Sequence, residues 1–288
     1  MLWLFLSLLS AFFWATADAF TKGRLSHLNP WEMAEVRLLY SLPFLLPVFL
    51  LVPSPQLQPG FWRAVGMLLP VEIAALLLYM AAIRTSPLSL TLPFLSFTPL
   101  FLTLTGFLLL GEVPSRAGLG GIGLVVLGGY LLNLGRGEGV MAPVRAVFSE
   151  RGSWMMLIVA LLYSYTSAMG KLAILRSHPL FFGPFYVVIL TGVTSALFLL
   201  WGKLRPRELF CRPLWGLVVG GATAAMLLSH YVAITMVDAA YMIAVKRTSP
   251  LFGVLYGGLL LGEEEMGRRL LATGLMVAGV ILIGVLGA

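Results

Sequence analysis

Charge is what this sequence has least of. Only 11 % of its 288 residues are Asp, Glu, Lys or Arg, and 59 % are apolar, where a soluble domain has about a quarter charged and about half apolar. A water-soluble fold always leaves much of its surface exposed, so so apolar a chain cannot keep its side chains out of water. That excludes a soluble protein. Cysteine occurs once, at Cys211, which excludes an intrachain disulfide and a thiolate metal cluster. The three histidines, His27, His178 and His230, show no metal-ligand spacing. No Lys or Arg precedes Lys22, so the basic stretch of a secretory signal is missing, although Ala15-Thr16-Ala17 resembles a cleavage site. Residues 3–21 are therefore expected to stay as a first helix. A nucleophile–base pair and a phosphate loop are also missing. The stretch GLGGIG (118–123) fits a dinucleotide fingerprint in letters only, because it lies in an apolar helix with no strand before it.

What is present is a series of long apolar runs. A helix needs about 20 apolar residues to cross the hydrocarbon core. Ten segments qualify: 3–21, 31–52, 64–83, 88–110, 117–134, 154–175, 181–201, 214–235, 239–261 and 270–287. They are apolar all round, which excludes the alternating strands of a membrane barrel. The net charge of +7 then reads as loops meeting anionic headgroups, with no nucleic acid partner.

The tetrapeptide RTSP occurs at 84–87 and at 247–250, and invites a reading as a duplication. The alignment that works is a different one. PLFLTLTGFLLLGE (99–112) matches PLFGVLYGGLLLGE (250–263) at a constant offset of 151 residues, and the offset continues through Gly123/Gly274 and Gly128/Gly279. The second RTSP then faces Ser96-Phe97-Thr98-Pro99, so the two RTSP copies coincide by chance. The expected division is a first five-helix repeat at 1–134, an inter-repeat loop at 135–153 and a second five-helix repeat at 154–288, forming one membrane domain around a central cavity. An odd helix count per repeat makes the second copy enter the membrane from the opposite side, the arrangement that underlies alternating access in many transporters.

Loops after odd-numbered segments carry twelve Lys or Arg, and those after even-numbered segments carry three, Arg63, Arg116 and Arg176. By the positive-inside rule this puts both termini outside.

The ten segments, the two halves and the Gly-Glu pair closing segments four and nine resemble the drug/metabolite transporter superfamily, in its EamA-type branch. PLFLTLTGFLLLGE (99–112) and KRTSPLFGVLYGGLLLGEE (246–264) carry the resemblance. It implies a ten-helix basket and export or exchange of amino acids, other metabolites or drugs. It also implies cytoplasmic termini, opposite to the charge count. The first repeat has Leu95-Ser96 where the second has Lys246-Arg247, so any role of that basic pair is asymmetric.

Charge at the middle of a membrane helix costs roughly 3 to 10 kcal/mol and needs a reason. Glu72 lies mid-helix, and Lys246 and Arg247 lie about 5 Å from the centre of segment nine. They are the candidate substrate ligands, the cations for a carboxylate and Glu72 for a proton or an ammonium group. The bland alternative is a fixed ion pair between Glu72 and one of the two cations. Trp14, Tyr79, Tyr163, Tyr165 and Tyr241 are candidate cavity aromatics, with most weight on Trp14 and Tyr165. His230 is a candidate proton relay or a hydrogen-bonded histidine. Asp18 and Lys22 read as an interfacial i,i+4 pair, Lys171 as a snorkelling lysine, and Arg37 and Asp238 as interfacial, Asp238 as a helix N-cap. Pro99 and Pro250 occupy equivalent positions and are candidate hinges or helix breaks. Gly118–Gly123 with Gly274 and Ala278 would bring segments five and ten together.

The expectation is a secondary active transporter that moves a small organic solute, an amino acid, other metabolite or drug, across the inner (cytoplasmic) membrane of a bacterium by alternating access, and an exporter by direction. Its partners would be the solute, protons and the bilayer, with a monomer compatible and no cofactor or metal. The alternatives are a lipid-linked substrate flippase and a non-transporting scaffold or enzyme.

Overall fold

The computed structural model describes residues 1–86, 91–132, 150–249, 251–252 and 266–287. Among them every regular element is a helix. Helix α1 (Leu2–Arg24) ends with Lys22 and Arg24 in its last turn, where cations suit the dipole. A capping box starts α2 (Pro30–Leu39): the Asn29 side chain accepts from Glu32 N (2.9 Å), and Glu32 Oε2 accepts from Asn29 N (3.0 Å). The expected continuous helix over 31–52 is split here. Tyr40 and Ser41 interrupt it, and α3 (Leu42–Leu51) starts with Pro43 in its first turn, where a missing N–H cannot continue the ladder of α2.

Helix α4 (Phe61–Thr85) follows Gly60, held at φ 86°. A 3₁₀ turn (Leu92–Phe97) leads into α5 (Thr98–Leu110), which ends at Gly111 with φ 71°; only glycine takes that left-handed cap without steric cost. Then come α6 (Arg116–Leu132), α7 (Arg151–Leu175), α8 (Pro179–Leu200), the short α9 (Pro206–Leu209), α10 (Pro213–Ala233), α11 (Ala239–Lys246) and α12 (Met266–Leu282), which runs on as a π turn to Gly287. Among the described residues six helices are long and apolar enough to cross a membrane, counting Pro30–Leu51 as one, and three shorter apolar helices accompany them.

Segments four and nine are both interrupted. Pro99 sits in the first turn of α5, just after the 3₁₀ turn. Helix α11 stops at Lys246, Arg247 and Thr248 form a turn, and Ser249 is helical again. At the 151-residue offset, this turn falls on Ser96 and Phe97, inside the 3₁₀ turn. Pro250 lies outside the described residues.

The helices pack in definite pairs. α1 runs along α10, α4 along α7, α6 along α12, α5 against α11, and α2 with α3 against α8. The α6–α12 contact is nearly backbone on backbone. A Cβ added at Gly121 would come 2.8 Å from the Gly279 carbonyl, and one at Gly128 would come 2.8 Å from the Ala272 carbonyl. The expected partners Gly274 and Ala278 are instead on the outer face of α12; Ala272, Met276 and Gly279 form the inner one.

Among the described residues, antiparallel packing brings the end of α1, the end of α4, the start of α7 and the α8–α9 loop to one end. Gly152 N donates to Ser86 Oγ, joining the start of α7 to the end of α4, and Arg205 Nε pairs with Glu32 Oε1 (2.7 Å), joining the α8–α9 loop to α2. Arg212 Nη1 donates to the Arg24 carbonyl at the same end. Arg176 Nη1 donates to the Gly60 carbonyl at the other end.

Two lysines fasten opposite ends in the same manner. Lys22 of α1 donates to the carbonyls of Ile83 (2.5 Å) and Ser86 (3.2 Å), just beyond α4. Lys171 of α7 donates to the Val237 carbonyl (2.6 Å), just beyond α10, and pairs with Glu112 Oε1 (2.5 Å). Lys171 is therefore buried and paired, and does not snorkel. Asp18, likewise, is not the interfacial partner of Lys22. Asp238 stands at the N-cap of α11 without a side-chain cap bond; the acceptor for Ala239 N is Glu112 Oε2, at 2.8 Å.

Candidate substrate cavity

The helix pairs leave a central cavity with about 120 Å³ open to the centres of water molecules. Each long helix turns one face to it. On α4 the lining positions Leu68, Glu72, Leu76 and Tyr79 recur every three or four residues, and on α7 so do Tyr163, Thr166 and Gly170. That period decides between two tyrosines. Tyr163 lines the cavity, and Tyr165, about 200° further round the helix, is partly buried in the packing outside it. Tyr241 is also elsewhere: its hydroxyl accepts from Ser115 N (2.7 Å), and its ring lies against Gly118. The cavity thus brings together Trp14, Glu72, Tyr79, His230, Lys246 and Arg247, and leaves out Tyr165 and Tyr241.

One wall is a polar network around an ion pair, in which Arg37 Nη2 alone lacks a hydrogen-bond partner among the described residues. Arg37 Nη1 pairs with Asp18 Oδ1 at 2.8 Å, Arg37 Nε donates to Thr223 Oγ1 (3.2 Å), Tyr79 Oη donates to Asp18 Oδ2 (2.5 Å), and Trp14 Nε1 donates to Tyr79 Oη (2.9 Å). Asp18 and Arg37 are 1 % and 4 % exposed. Both were expected at the interface. Their burial follows from the pairing: each supplies the counter-charge that the other needs away from water. Asp18 and Arg37 lie 19 residues apart on different helices, and no local spacing signals such a contact.

Across the shared Trp14 ring lie two further cations. Lys246 Nζ lies 3.3 Å from His230 Nδ1, 3.3 Å from Met226 Sδ and 4.3 Å from the centre of the Trp14 ring. Arg247 is 3 % exposed, with its guanidinium 5.2 Å from the Trp14 ring and 5.6 Å from the Tyr163 ring. Its Nε and Nη1 have no hydrogen-bond acceptor among the described residues. Trp14 stands edge-on to Tyr79 and Tyr163, with ring centres 5.8 and 5.9 Å apart, so its orientation is fixed by packing. Glu72 is half-buried, faces Thr166, and is close enough to feel the Lys246 charge. It forms no ion pair with either cation; the carboxylates in ion pairs among the described residues are Asp18, Glu32 and Glu112.

A model of the EamA-like transporter family matches residues 1–134 and 150–285. The chain belongs to the EamA-like transporter family. It is accordingly a multi-pass integral membrane protein and a transporter of small solutes. A solved crystal structure without a functional description is similar to this EamA-like chain, with a TM-score of 0.74 and 14 % identity, over 99 % of this chain and 96 % of that one; at that identity it speaks for the fold alone. No curated protein matches the sequence.

Two acidic residues of this EamA-like chain have contacts that its sequence does not signal. In the sequence Glu112 is half of the repeated Gly-Glu pair; in the fold it caps α11 and holds Lys171. Glu35, completely buried between α2 and α8, has as its only sequence signal a charged residue inside an apolar helix.

Proposed function

We propose that this protein is a secondary active transporter that carries a small carboxylate-bearing solute, an amino acid or a related metabolite, across the bacterial inner membrane by alternating access, in the direction of export. The observation that carries the reading is Arg247: a buried guanidinium against the Trp14 and Tyr163 rings, with two nitrogens that meet no acceptor among the described residues at the wall of the central cavity. A solute carboxylate supplies the missing acceptors in the paired geometry that guanidinium favours. Lys246 adds a second positive charge beside it, and Glu72 offers the negative group for an ammonium or a proton. A hydrophobic cation, a drug of that type included, meets two cations here and is disfavoured.

The alternating step rests on two inverted five-helix repeats, 1–134 and 154–288. Matching α1 with α7, α2–α3 with α8, α4 with α10, α5 with α11 and α6 with α12 exchanges the pair α1–α10 with the pair α7–α4. The same matching returns the other three pairs to themselves. It also carries Lys22 and its carbonyl partners onto Lys171 and its partner, at opposite ends of the bundle, and one helix break onto the other. Broken helices at the repeat interface are where transporters of inverted design hold their substrates. Pro99 and the Arg247–Thr248 turn are the places for flexure.

The test is transport by purified protein in liposomes loaded with a panel of labelled amino acids, other carboxylates and neutral and cationic solutes. Carboxylate solutes should move, and R247Q and K246Q should each weaken their uptake. Failure of every solute, with transfer of a labelled lipid between leaflets, would replace this reading with a flippase. In E72Q the pH dependence of transport should weaken, since Glu72 is the carboxylate that lines the cavity beside Lys246; an unchanged profile would take Glu72 out of coupling.

A further inference from the structure

Glu35 has a setting unlike every other acid in the described protein. It is 0 % exposed. Oε2 accepts from Thr194 Oγ1 at 2.8 Å, and Oε1 accepts from Ser195 Oγ. Among the described residues no basic group lies within ion-pair distance of it. On its own helix, Glu32 is paired with Arg205 and Arg37 with Asp18. Of the elements packed on α2, helix α8 contains no charged residue. In α10 the only titratable groups are His230, beside Lys246, and Tyr231; both line the cavity. In α4, Arg63 and Arg84 are exposed, while Glu72 and Tyr79 face the cavity. In α9, Arg207 is exposed and Glu208 is half-exposed. Tyr186, on α8, also lines the cavity.

From this geometry we infer that Glu35 is a proton-binding site, separate from the cavity, that ties the closed α2–α8 contact to pH. An ionised carboxylate without a counter-charge costs several kcal/mol in such a place, whereas the acid form is neutral. The hydrogens point the same way. The single Thr194 hydroxyl hydrogen has three oxygens in range: Glu35 Oε2, the Leu190 carbonyl (2.8 Å) and the Thr191 carbonyl (3.1 Å). A proton on Glu35 lets the acid donate to Thr194 and frees the Thr194 hydrogen for the Leu190 carbonyl.

Position gives the site a use. Glu35 is one helical turn deeper than the Glu32–Arg205 pair at the basic end, and one turn short of Leu38, which lines the cavity; Thr194 is one turn from Leu190, another lining residue. Parting α2 from α8 at the basic end wets Glu35 before it wets the cavity. The closed contact binds the proton more tightly than the parted one. By linkage, acid favours closure, and the closed form loses that support as pH rises. The use of this proton in coupling rests on the transport reading above; the binding site itself does not.

Infrared spectra of the purified protein at neutral pH test the site without any transport assay. A protonated-carboxyl band should be present in the wild type, be lost in E35Q, persist in E72Q, and shift in S195A as one hydrogen bond is removed. The S195A shift reads the site even if E35Q does not fold. In hydrogen exchange, amides 190–195 should open faster at alkaline pH in the wild type than in E35Q at the same pH. A spectrum without a band sensitive to E35Q or S195A would overturn the inference. A sensitive band in a protein that moves no solute would keep the site and remove the transport reading.

Discussion

Two buried arginines face one cavity; each leaves a guanidinium nitrogen without a partner among the described residues, but only Arg37 has a counter-charge. Arg37 has a carboxylate at 2.8 Å and a threonine hydroxyl at 3.2 Å. Among the described residues Arg247 has two aromatic faces and no acceptor for Nε or Nη1. Both groups are equally hidden, at 4 % and 3 % exposure, so burial does not separate them; compensation does. A charge that the protein itself neutralises serves the fold. A charge left unmatched at a cavity wall destabilises the empty protein, and a ligand of opposite sign repairs that.

This contrast can be broken or sharpened by mutation. The largest effect on stability is expected from D18N, which strands Arg37: about 3–5 kcal/mol, read as a fall in melting temperature in detergent, with an unchanged melting point as the outcome that would undo the distinction. R247Q should leave the melting point unchanged or raise it, since it deletes an uncompensated charge. The same variant should weaken carboxylate binding by about 10- to 100-fold, the size of a lost charge-assisted hydrogen bond, measured by ligand titration. T223V removes one acceptor from Arg37 and should cost about 1 kcal/mol, with carboxylate affinity close to that of the wild type. Y165F should change neither melting nor binding, because Tyr165 lies outside the cavity; a binding defect there would show that the assignment of the α7 face is wrong.

The helical class and the positions of the long segments could be read from the sequence because apolar runs of membrane length have few other solutions. Lys246, Arg247 and Glu72 stood out for the same reason: mid-membrane charge is rare and expensive. What could not be read was partnership. Asp18 has Lys22 one turn away and Arg37 on another helix, and local spacing favours the first, but the fold chose the second. Tyr163 and Tyr165 are equivalent in letters, and only the rotational setting of α7 separates them. The split at Tyr40–Ser41 depended on which of several prolines lies where the helix has to bend; apolar periodicity has no voice in that. Glu35 drew no notice because its partners are hydroxyls contributed by another helix.

The α6–α12 crossing has a last consequence. Gly121 and Gly279 bring two backbones together, flanked by the β-branched side chains of Ile283 and Val125, and so close a joint leaves little room to slide by half a step. It is the keel of the molecule. Reporter groups placed across it should hold one separation through the whole working cycle, and so provide an internal ruler against which movement elsewhere can be measured.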